Sequence, residues 1–257
     1  MYGNPDTALI DADLLLYKFG FVNETEYDWG DVTSKTYDVD NAIKGINRFV
    51  KRIKRLTSTP NAILCLSSTN PNFRYDILST YKQNRKDQNK PDMLHHLRYF
   101  MEQEYKTKSK PSLEADDVMG ILATLKPEKY VICTIDKDLK TVPANYFNWD
   151  KSDEIKGIST EEANRFFFKQ VLMGDSTDGY SGCPQIGDKR SDKILNAMDG
   201  DDDYWEVIVD TYESKGLTEE DALQQARVAR ILRAEDWDLE NKEKLLWMPE
   251  NYDNEEK

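Results

Sequence analysis

Histidine and cysteine are scarce in this chain, which has 2 histidines and 3 cysteines among 257 residues. Cys65, Cys133 and Cys183 are odd in number and lack C-x-x-C spacing, and two of them lie in apolar runs. We therefore expect reduced, buried thiols, and we expect neither a disulfide framework nor a zinc site of cysteine and histidine.

Long hydrophobic runs are also lacking. No stretch approaches the roughly 20 apolar residues that a membrane-spanning helix needs. The first residues show no basic region followed by an apolar segment, so we expect no secretory signal. The sequence predicts a cytosolic protein without a membrane partner, with one large or two small domains.

Net positive charge is lacking too, because the formal net charge is -13 at pH 7. Residues 199–257 contain 19 acidic and 7 basic residues, whereas residues 44–110 contain 15 basic and 5 acidic residues. The basic middle favours a polyanionic partner such as nucleic acid, although charge runs are also typical of plain solvated surface. The acidic end is compatible with repelling DNA, with binding a partner protein or with solubility alone.

Short apolar runs alternate with helical patterns over the first 160 residues. Four runs have the length and composition of buried strands, at residues 7–10, 61–66, 130–135 and 144–149. Helical periodicity lies between them, at residues 41–57, 93–105 and 113–122. This alternation predicts an α/β fold with a mostly parallel central sheet flanked by helices.

Two other regions depart from this alternation. Residues 22–40 form a polar excursion, and much of residues 70–110 is basic and weakly apolar, which favours a mobile loop or arch. From residue 160 onward only helical patterns occur, at residues 161–173, 191–198, 204–212 and 219–234. The Gly-rich turn between the first two of these helices is able to present backbone N–H groups to a phosphate, which is a weak signal alone.

Acidic residues recur where the predicted strands end and the helices begin. Seven of them stand out: Asp11, Glu114, Asp116, Asp117, Asp136, Asp138 and Asp178. Acids at the carboxyl ends of parallel strands meet at one edge of a sheet, and packed carboxylates repel each other unless they are protonated or bind a metal. Oxygen donors without histidine or cysteine favour Mg²⁺ or Mn²⁺, and two such ions support phosphodiester hydrolysis.

Simpler explanations exist for the same residues. Asp11 alone is compatible with a helix cap, and the Asp136-x-Asp138 pair alone is typical of a turn after a strand. Two other functions also stay open on these residues. One is a phosphohydrolase of small substrates with Asp11 as nucleophile and Asp13 as acid, and the other is a DNA-binding protein with weak or no catalysis.

Five motifs follow one another in a fixed order, and with the further segments given below the match runs from about residue 7 to residue 249. They are Leu9-Ile10-Asp11, Phe73-Arg74 with Tyr81-Lys82-x-Asn84-Arg85, Glu114-Ala115-Asp116-Asp117-Val118, Thr134-Ile135-Asp136-Lys137-Asp138-Leu139 and Gly174-Asp175-Ser176-Thr177-Asp178. Together they resemble the 5′-nuclease or flap endonuclease superfamily. Further segments resemble the 5′ to 3′ exonucleases of T7-like bacteriophages: residues 175–182, 218–221, 229–233 and the Leu-Trp at 246–247.

The resemblance implies a PIN-like α/β core over residues 1–160, with a basic helical arch at about 70–110. Residues 161–257 would form a helical DNA-binding module of the helix-three-turn-helix type and an acidic tail. The implied activity is 5′ to 3′ exodeoxyribonuclease action on duplex 5′ ends, with flap-type cleavage and removal of RNA paired to DNA. It implies phage replication and recombination in the cytoplasm of an infected bacterium, with replication proteins as possible partners.

The resemblance also assigns residues. Two divalent cations, Mg²⁺ or Mn²⁺, would be bound by Asp11, Glu114, Asp116, Asp136, Asp138 and Asp178, and Asp117 and Asp175 would support these ligands. Lys82 and Arg85 would act on the scissile phosphate. DNA contacts are implied for Arg74, Tyr81, Lys86, Gly182, Gly187, Lys189 and Arg190. For Tyr81, packing under the arch stays open as the alternative to stacking on a base.

Two positions depart from the family pattern. Ser67-Ser68-Thr69 stands where many relatives carry an aspartate after the second strand, and Gln185 replaces the first glycine of the Gly-x-Gly turn in the helical module. The first departure removes a ligand of the first metal. The second changes the turn that would hold K⁺ and a phosphate.

Overall fold

The computed structural model describes residues 2–30, 33–85, 88–198 and 203–249. Its strands are β1 (Thr7–Asp11), β2 (Glu24–Asp28), β3 (Thr33–Tyr37), β4 (Asn61–Cys65), β5 (Thr107–Lys108), β6 (Tyr130–Cys133), β7 (Asn145–Phe147), β8 (Lys156–Gly157), β9 (Trp237–Asp238) and β10 (Glu243–Lys244). Its α-helices are α1 (Ala12–Val22), α2 (Val39–Leu56), α3 (Arg74–Ile77), α4 (Leu94–Glu104), α5 (Ala115–Leu125), α6 (Thr160–Met173), α7 (Asp188–Asn196), α8 (Tyr204–Glu213) and α9 (Glu219–Ala229).

Six strands form the central sheet, in the order β5-β4-β1-β6-β7-β8. Every neighbouring pair is parallel except β7 and β8. In this register Asp11 lies beside Cys65 of β4, and Ile10 lies beside Cys133 of β6. The residues that follow β1, β4 and β6 therefore emerge at one edge of the sheet. The predicted α/β fold with a mostly parallel sheet is confirmed.

The two faces of the sheet are covered by different helices because successive side chains of a strand point to opposite sides. Ala8 and Ile10 of β1 pack against α1, α2 and α4, while Leu9 packs against α5. Fully burying a side chain such as Ile10 or Leu9 stabilises the fold by about 1.5–3 kcal/mol. Burial of this kind holds the strand ends, and the acids on them, at fixed positions.

The regions without clear periodicity have more structure than expected. Residues 22–40 contain the antiparallel hairpin of β2 and β3. The arch region contains α3, a 3-10 turn at Gln83–Arg85, α4 and β5. The predicted contact residue Lys86 lies outside the described residues.

The last third of the chain is helical up to α9. Its helices form an apolar cluster that is separate from the two on the faces of the sheet, and Tyr81 of the arch belongs to it. Trp247 lies in this cluster and Trp237 in the core beneath the sheet. The predicted division of the chain near residue 160 stays a prediction. The three cysteines are free and buried, as expected. Among the described helices, none has the length and apolar character needed to cross a membrane.

Candidate active site

A cavity of about 600 Å³ opens at the edge of the sheet where β1, β4 and β6 end. Seven acidic side chains line it: Asp11, Asp13, Glu114, Asp116, Asp136, Asp138 and Asp178. The six acids predicted as metal ligands are therefore brought to one cavity, together with Lys82 and Arg85. Their individual roles as ligands stay predictions, but the convergence on which those roles depend is present.

Asp11 joins the end of β1 to the start of α1. It caps the helix by accepting a hydrogen bond from the Leu14 N–H at 3.3 Å, and it accepts a second one from the Thr134 hydroxyl at 3.0 Å. The same hydroxyl accepts from the Asp136 N–H at 3.0 Å, so Thr134 holds two acidic residues together. Burial, and then the charge of Asp13, raise the pKa of Asp11 to about 7.

Asp136 and Asp138 follow β6 in a tight turn. The Asp138 N–H donates to the Asp136 carboxylate at 2.8 Å, and Gln170 Nε2 donates to the Asp138 carboxylate at 2.6 Å. Burial, and then the neighbouring charge of Asp136, raise the pKa of Asp138 to about 7. Sequence reasoning missed Gln170, since a glutamine inside a helical pattern carries no signal of its own.

The start of α5 contributes two acids whose pKa values shift in opposite directions, the N-cap residue Glu114 and Asp116 in the first turn. Burial, followed by the charges of Asp11 and Asp136, raises the pKa of Asp116 well above its usual range. Burial would also raise the pKa of Glu114, but Lys82 and Arg74 outweigh it and lower that pKa to about 2. The difference arises because Lys82 and Arg74 form ion pairs with Glu114, whereas burial and the neighbouring acids outweigh the effect of Lys82 on Asp116.

Lys82 and Arg85 close over the acidic loop that follows α6. Lys82 Nζ lies 2.7 Å from Glu114 Oε1 and 3.6 Å from Asp178 Oδ2, and Arg85 forms an ion pair with Asp178. The Lys82 N–H also donates to the Asp178 carbonyl at 2.8 Å. Asp175 accepts from the Thr177 and Asp178 N–H groups at 2.7 and 3.3 Å, which shapes the loop around Asp178.

The cavity therefore has two differently charged sides. Glu114 and Asp178 are paired with the arch, although burial still raises the pKa of Asp178 against the effect of Lys82 and Arg85. On the other side are the acids that have no ion pair within 4 Å in the described ranges: Asp11, Asp13, Asp116, Asp136 and Asp138.

These unpaired acids fit a divalent cation. In the part of the chain that the structure describes, no three His, Cys, Asp or Glu side chains form a ready-made metal cluster. The oxygen donors nevertheless suit Mg²⁺ or Mn²⁺, and a cation would offset the burial and the mutual repulsion that raise the pKa values of Asp11, Asp116 and Asp138.

Arg74 lies in a buried ion pair. Its side chain is only 2% exposed, and its guanidinium binds both oxygens of Asp117 at 2.7 and 2.8 Å. It also donates to the Val228 carbonyl at 2.9 Å, while the Leu232 N–H donates to Asp117 at 3.1 Å. The DNA contact of Arg74 stays a prediction: Arg74 lines the cavity, but the hydrogen bonds of its guanidinium join the arch, α5 and residues 228–232.

Tyr81 and Gly182 are also buried where a DNA contact was expected. Tyr81 is 2% exposed, stands edge-on to Tyr75 and donates its hydroxyl to Glu114 at 2.9 Å, so it has no open face for a base. The Gly182 N–H already donates to Gln225 at 2.9 Å. A Cβ at Gly182 would lie 2.3 Å from the Gly174 nitrogen, so this glycine serves close backbone packing.

The remaining predicted contacts lie at the start of α7. Gly187 precedes the helix in open space, and Lys189 and Arg190 are exposed on its first turn. Gln185, which replaces a glycine of the family pattern, has a φ of 64°, a conformation that favours glycine. The DNA-binding roles of Gly187, Lys189 and Arg190 stay predictions.

An acidic cavity at the carboxyl edge of a parallel sheet, closed on one side by a lysine and an arginine, defines a phosphodiester-cleaving nuclease. Residues 6–167, more than half of the chain, match the family model described as 5'-3' exonuclease, N-terminal resolvase-like domain. The chain therefore belongs to the 5′-3′ exonuclease family. The predicted family and the predicted enzyme class are confirmed.

Two phage proteins are similar to this chain over nearly its whole length. The exodeoxyribonuclease of Enterobacteria phage T3 is 29% identical over 282 aligned positions, which cover 94% of this chain and 92% of the phage protein. The exonuclease of Escherichia phage T7 is 28% identical over 280 positions, covering 94% and 93%. The resemblance to exonucleases of T7-like phages is confirmed.

Two solved structures have the same fold. The bacteriophage T5 flap endonuclease, in a variant complexed with DNA and metal ions, gives a TM-score of 0.60 at 16% identity over 88% of this chain and 89% of that one. The T5 5′-exonuclease with bound zinc gives a TM-score of 0.58 at 16% identity over 87% and 93%. At this identity the likeness concerns the fold.

We predict that Arg74→Met lowers the free energy of unfolding by about 3–5 kcal/mol, because the Asp117 charge would stay buried without its partner. Arg190→Met, which removes an exposed guanidinium, should change it by less than about 0.5 kcal/mol. Chemical denaturation of both variants measures the difference. Equal losses of unfolding free energy in the two variants would contradict a stabilising role for the buried Arg74–Asp117 pair.

We predict that Gln170→Met leaves the fold intact and lowers kcat/KM on DNA roughly ten- to a hundredfold. The variant keeps the side-chain volume but removes a hydrogen bond to a charged group, which stabilises by about 1.5–3 kcal/mol. Gln103→Met, on the exposed face of α4, is the control. Unchanged kinetics for Gln170→Met would show that Asp138 does not need this donor.

Proposed function

We propose that this protein is a divalent-metal-dependent 5′ to 3′ exonuclease that hydrolyses phosphodiester bonds from the 5′ ends of duplex DNA. The observation that carries the proposal is the two-sided cavity. Acids without counter-ions lie on one side, and Lys82 and Arg85 lie on the other. Hydrolysis of a phosphodiester uses both sides of the cavity. It requires metal cations near the attacking and leaving oxygens, and positively charged side chains near the transferred phosphate.

The residues proposed to hold the cations are the unpaired acids Asp11, Asp116, Asp136 and Asp138. Two Mg²⁺ or Mn²⁺ ions, when bound, supply a deprotonated water and stabilise charge on the leaving oxygen. Glu114 and Asp178 lie at the boundary between the two sides and become available to cations once Lys82 and Arg85 turn to a phosphate. Thr134 and Gln170 keep the acids in place by their hydrogen bonds.

The arch supplies the positive charge. Lys82 Nζ lies within 4 Å of two carboxylates at the cavity, so a phosphate that enters there is able to replace them as its partner. Arg85 has a planar guanidinium suited to two phosphate oxygens. The first turn of α5 adds the positive end of its helix dipole to the same cavity.

Duplex DNA would lie across the arch and the start of α7. There Gly187, Lys189 and Arg190 present a helix N-terminus and two cations to the phosphate backbone, and K⁺ would bind in the turn that contains Gln185. We also propose flap-type cleavage and removal of RNA paired to DNA, in phage replication and recombination. This activity would take place in the cytoplasm of the infected bacterium, with replication proteins as partners of the acidic tail.

We predict that Asp136→Ala combined with Asp138→Ala abolishes Mg²⁺-dependent release of nucleotides from 5′-labelled duplex DNA. Binding of the same duplex in Ca²⁺ should stay largely intact, because the arch and α7 are unchanged. Asp150→Ala with Asp153→Ala removes two exposed acids nearby and should cleave normally. Cleavage at the wild-type rate by the first double variant would contradict the proposed metal site.

We predict that Lys82→Ala lowers the single-turnover rate about a hundred- to a thousandfold, as does loss of one group that stabilises transition-state charge. Its dissociation constant for DNA should rise less than about threefold. Lys189→Ala should do the opposite, weakening binding with little effect on the rate at saturation. Equal losses of rate and binding in Lys82→Ala would make Lys82 a phosphate anchor only.

A further inference from the structure

Asp13 is an acid of the cavity that the proposed mechanism leaves without a role. It is the second residue of α1, two positions after Asp11. Both of its carboxylate oxygens accept from the N–H of Ser67, at 3.3 and 3.2 Å, and the Ser67 side chain is a further hydrogen-bond partner. The nearby cation Arg98 is used elsewhere, since it binds Glu102 at 2.9 Å and the Ser67 carbonyl at 2.9 Å.

The position of Asp13 follows from the sheet. β1 and β4 are adjacent and parallel, with Asp11 beside Cys65, so the residues after Cys65 emerge next to the start of α1. Those residues are Ser67, Ser68 and Thr69, which line the cavity but carry no charge. Asp13 reaches across from α1 and brings a carboxylate to this side of the cavity.

Ser67 itself is fully engaged by its neighbours. Its hydroxyl oxygen accepts from the Ala115 N–H at 3.0 Å, which ties it to the first turn of α5. Its N–H donates to Asp13 and its carbonyl accepts from Arg98. Ser67 therefore holds the Asp13 carboxylate between α5 and α4, beside the acids of β1 and α5.

The other elements at this end of the sheet already bring acids to the cavity. β1 contributes Asp11, α5 contributes Asp116, and the turn after β6 contributes Asp136 and Asp138. On the side of β4, Asp13 is the acid that lines the cavity. The hydrogen bonds from Ser67 do not use all the lone pairs of the Asp13 carboxylate, so some are left for a further partner.

We propose that Asp13 is a ligand of the divalent cation bound by Asp11 and Asp116, supplying from α1 the carboxylate that the end of β4 lacks. This inference rests on the proposed function. With Asp13 as a ligand, the cation site has a carboxylate on the side of β4 although Ser67 carries no charge. A purely structural role, in which Asp13 only accepts the Ser67 hydrogen bond, is the competing explanation.

Asp13→Asn separates the two explanations. Asparagine has nearly the same size and its Oδ1 still accepts from the Ser67 N–H, but its charge is gone. The matched control is Asp40→Asn, because Asp40 is the second residue of α2 as Asp13 is of α1, and it is exposed on the surface.

The test is a titration of Mn²⁺ into the DNA-free protein, followed by the electron paramagnetic resonance signal of free Mn²⁺. We expect Asp13→Asn to raise the dissociation constant of the tightest Mn²⁺ at least tenfold, with the melting temperature in metal-free buffer unchanged. Asp40→Asn should bind like the wild type. Ser67→Asp, added to Asp13→Asn, should restore affinity to within about threefold of wild type, which a structural role does not predict.

Wild-type affinity in Asp13→Asn, or no gain from Ser67→Asp, overturns the inference and leaves the proposed function standing. Absence of Mn²⁺ binding by the wild type would instead overturn the proposed function. If Asp13→Asn does not fold, Asp13→Ser takes its place in the same titration and is judged by the same two outcomes.

Discussion

The buried ion pair of Arg74 and Asp117 is the interaction on which the site depends. Arg74 begins α3 at the base of the arch, and Asp117 lies in the first turn of α5 beside Glu114 and Asp116. Both side chains also bind backbone groups of residues 228–232, so three distant segments meet at one point. Two buried charges are stable only together, and this requirement holds the first turn of α5 at the edge of the sheet.

The electrostatics of the cavity follow from that placement. The arch brings Lys82 and Arg85 onto Glu114 and Asp178, while the acids at the strand ends form no ion pair within 4 Å in the described ranges. Burial first, and then repulsion from neighbouring carboxylates, destabilise the charged forms, which is why the pKa values of Asp11 and Asp138 rise to about 7. A divalent cation offsets this cost, so stability of the site and metal binding are linked.

Burial decided the position of several residues for which the family resemblance implies DNA contacts. Arg74, Tyr81 and Gly182 are all buried. The partners that bury Arg74 are 43 and 154 positions away, and the Gly182 N–H binds a side chain 43 positions away. No local pattern carries such information. Gln170 was missed for the same reason, since its partner Asp138 lies on another element, 32 positions away.

The sequence by itself determined the alternation of strands and helices, the acids at strand ends and the family motifs, because hydrophobic periodicity and motif spacing are local properties of the chain. Those features sufficed to predict the parallel sheet and the gathering of six acids in one cavity. Only the tertiary structure decided which acids are paired with arch cations, which are left for a metal, and that Asp13 stands beside Ser67. These choices depend on distances and burial, which packing between remote segments creates.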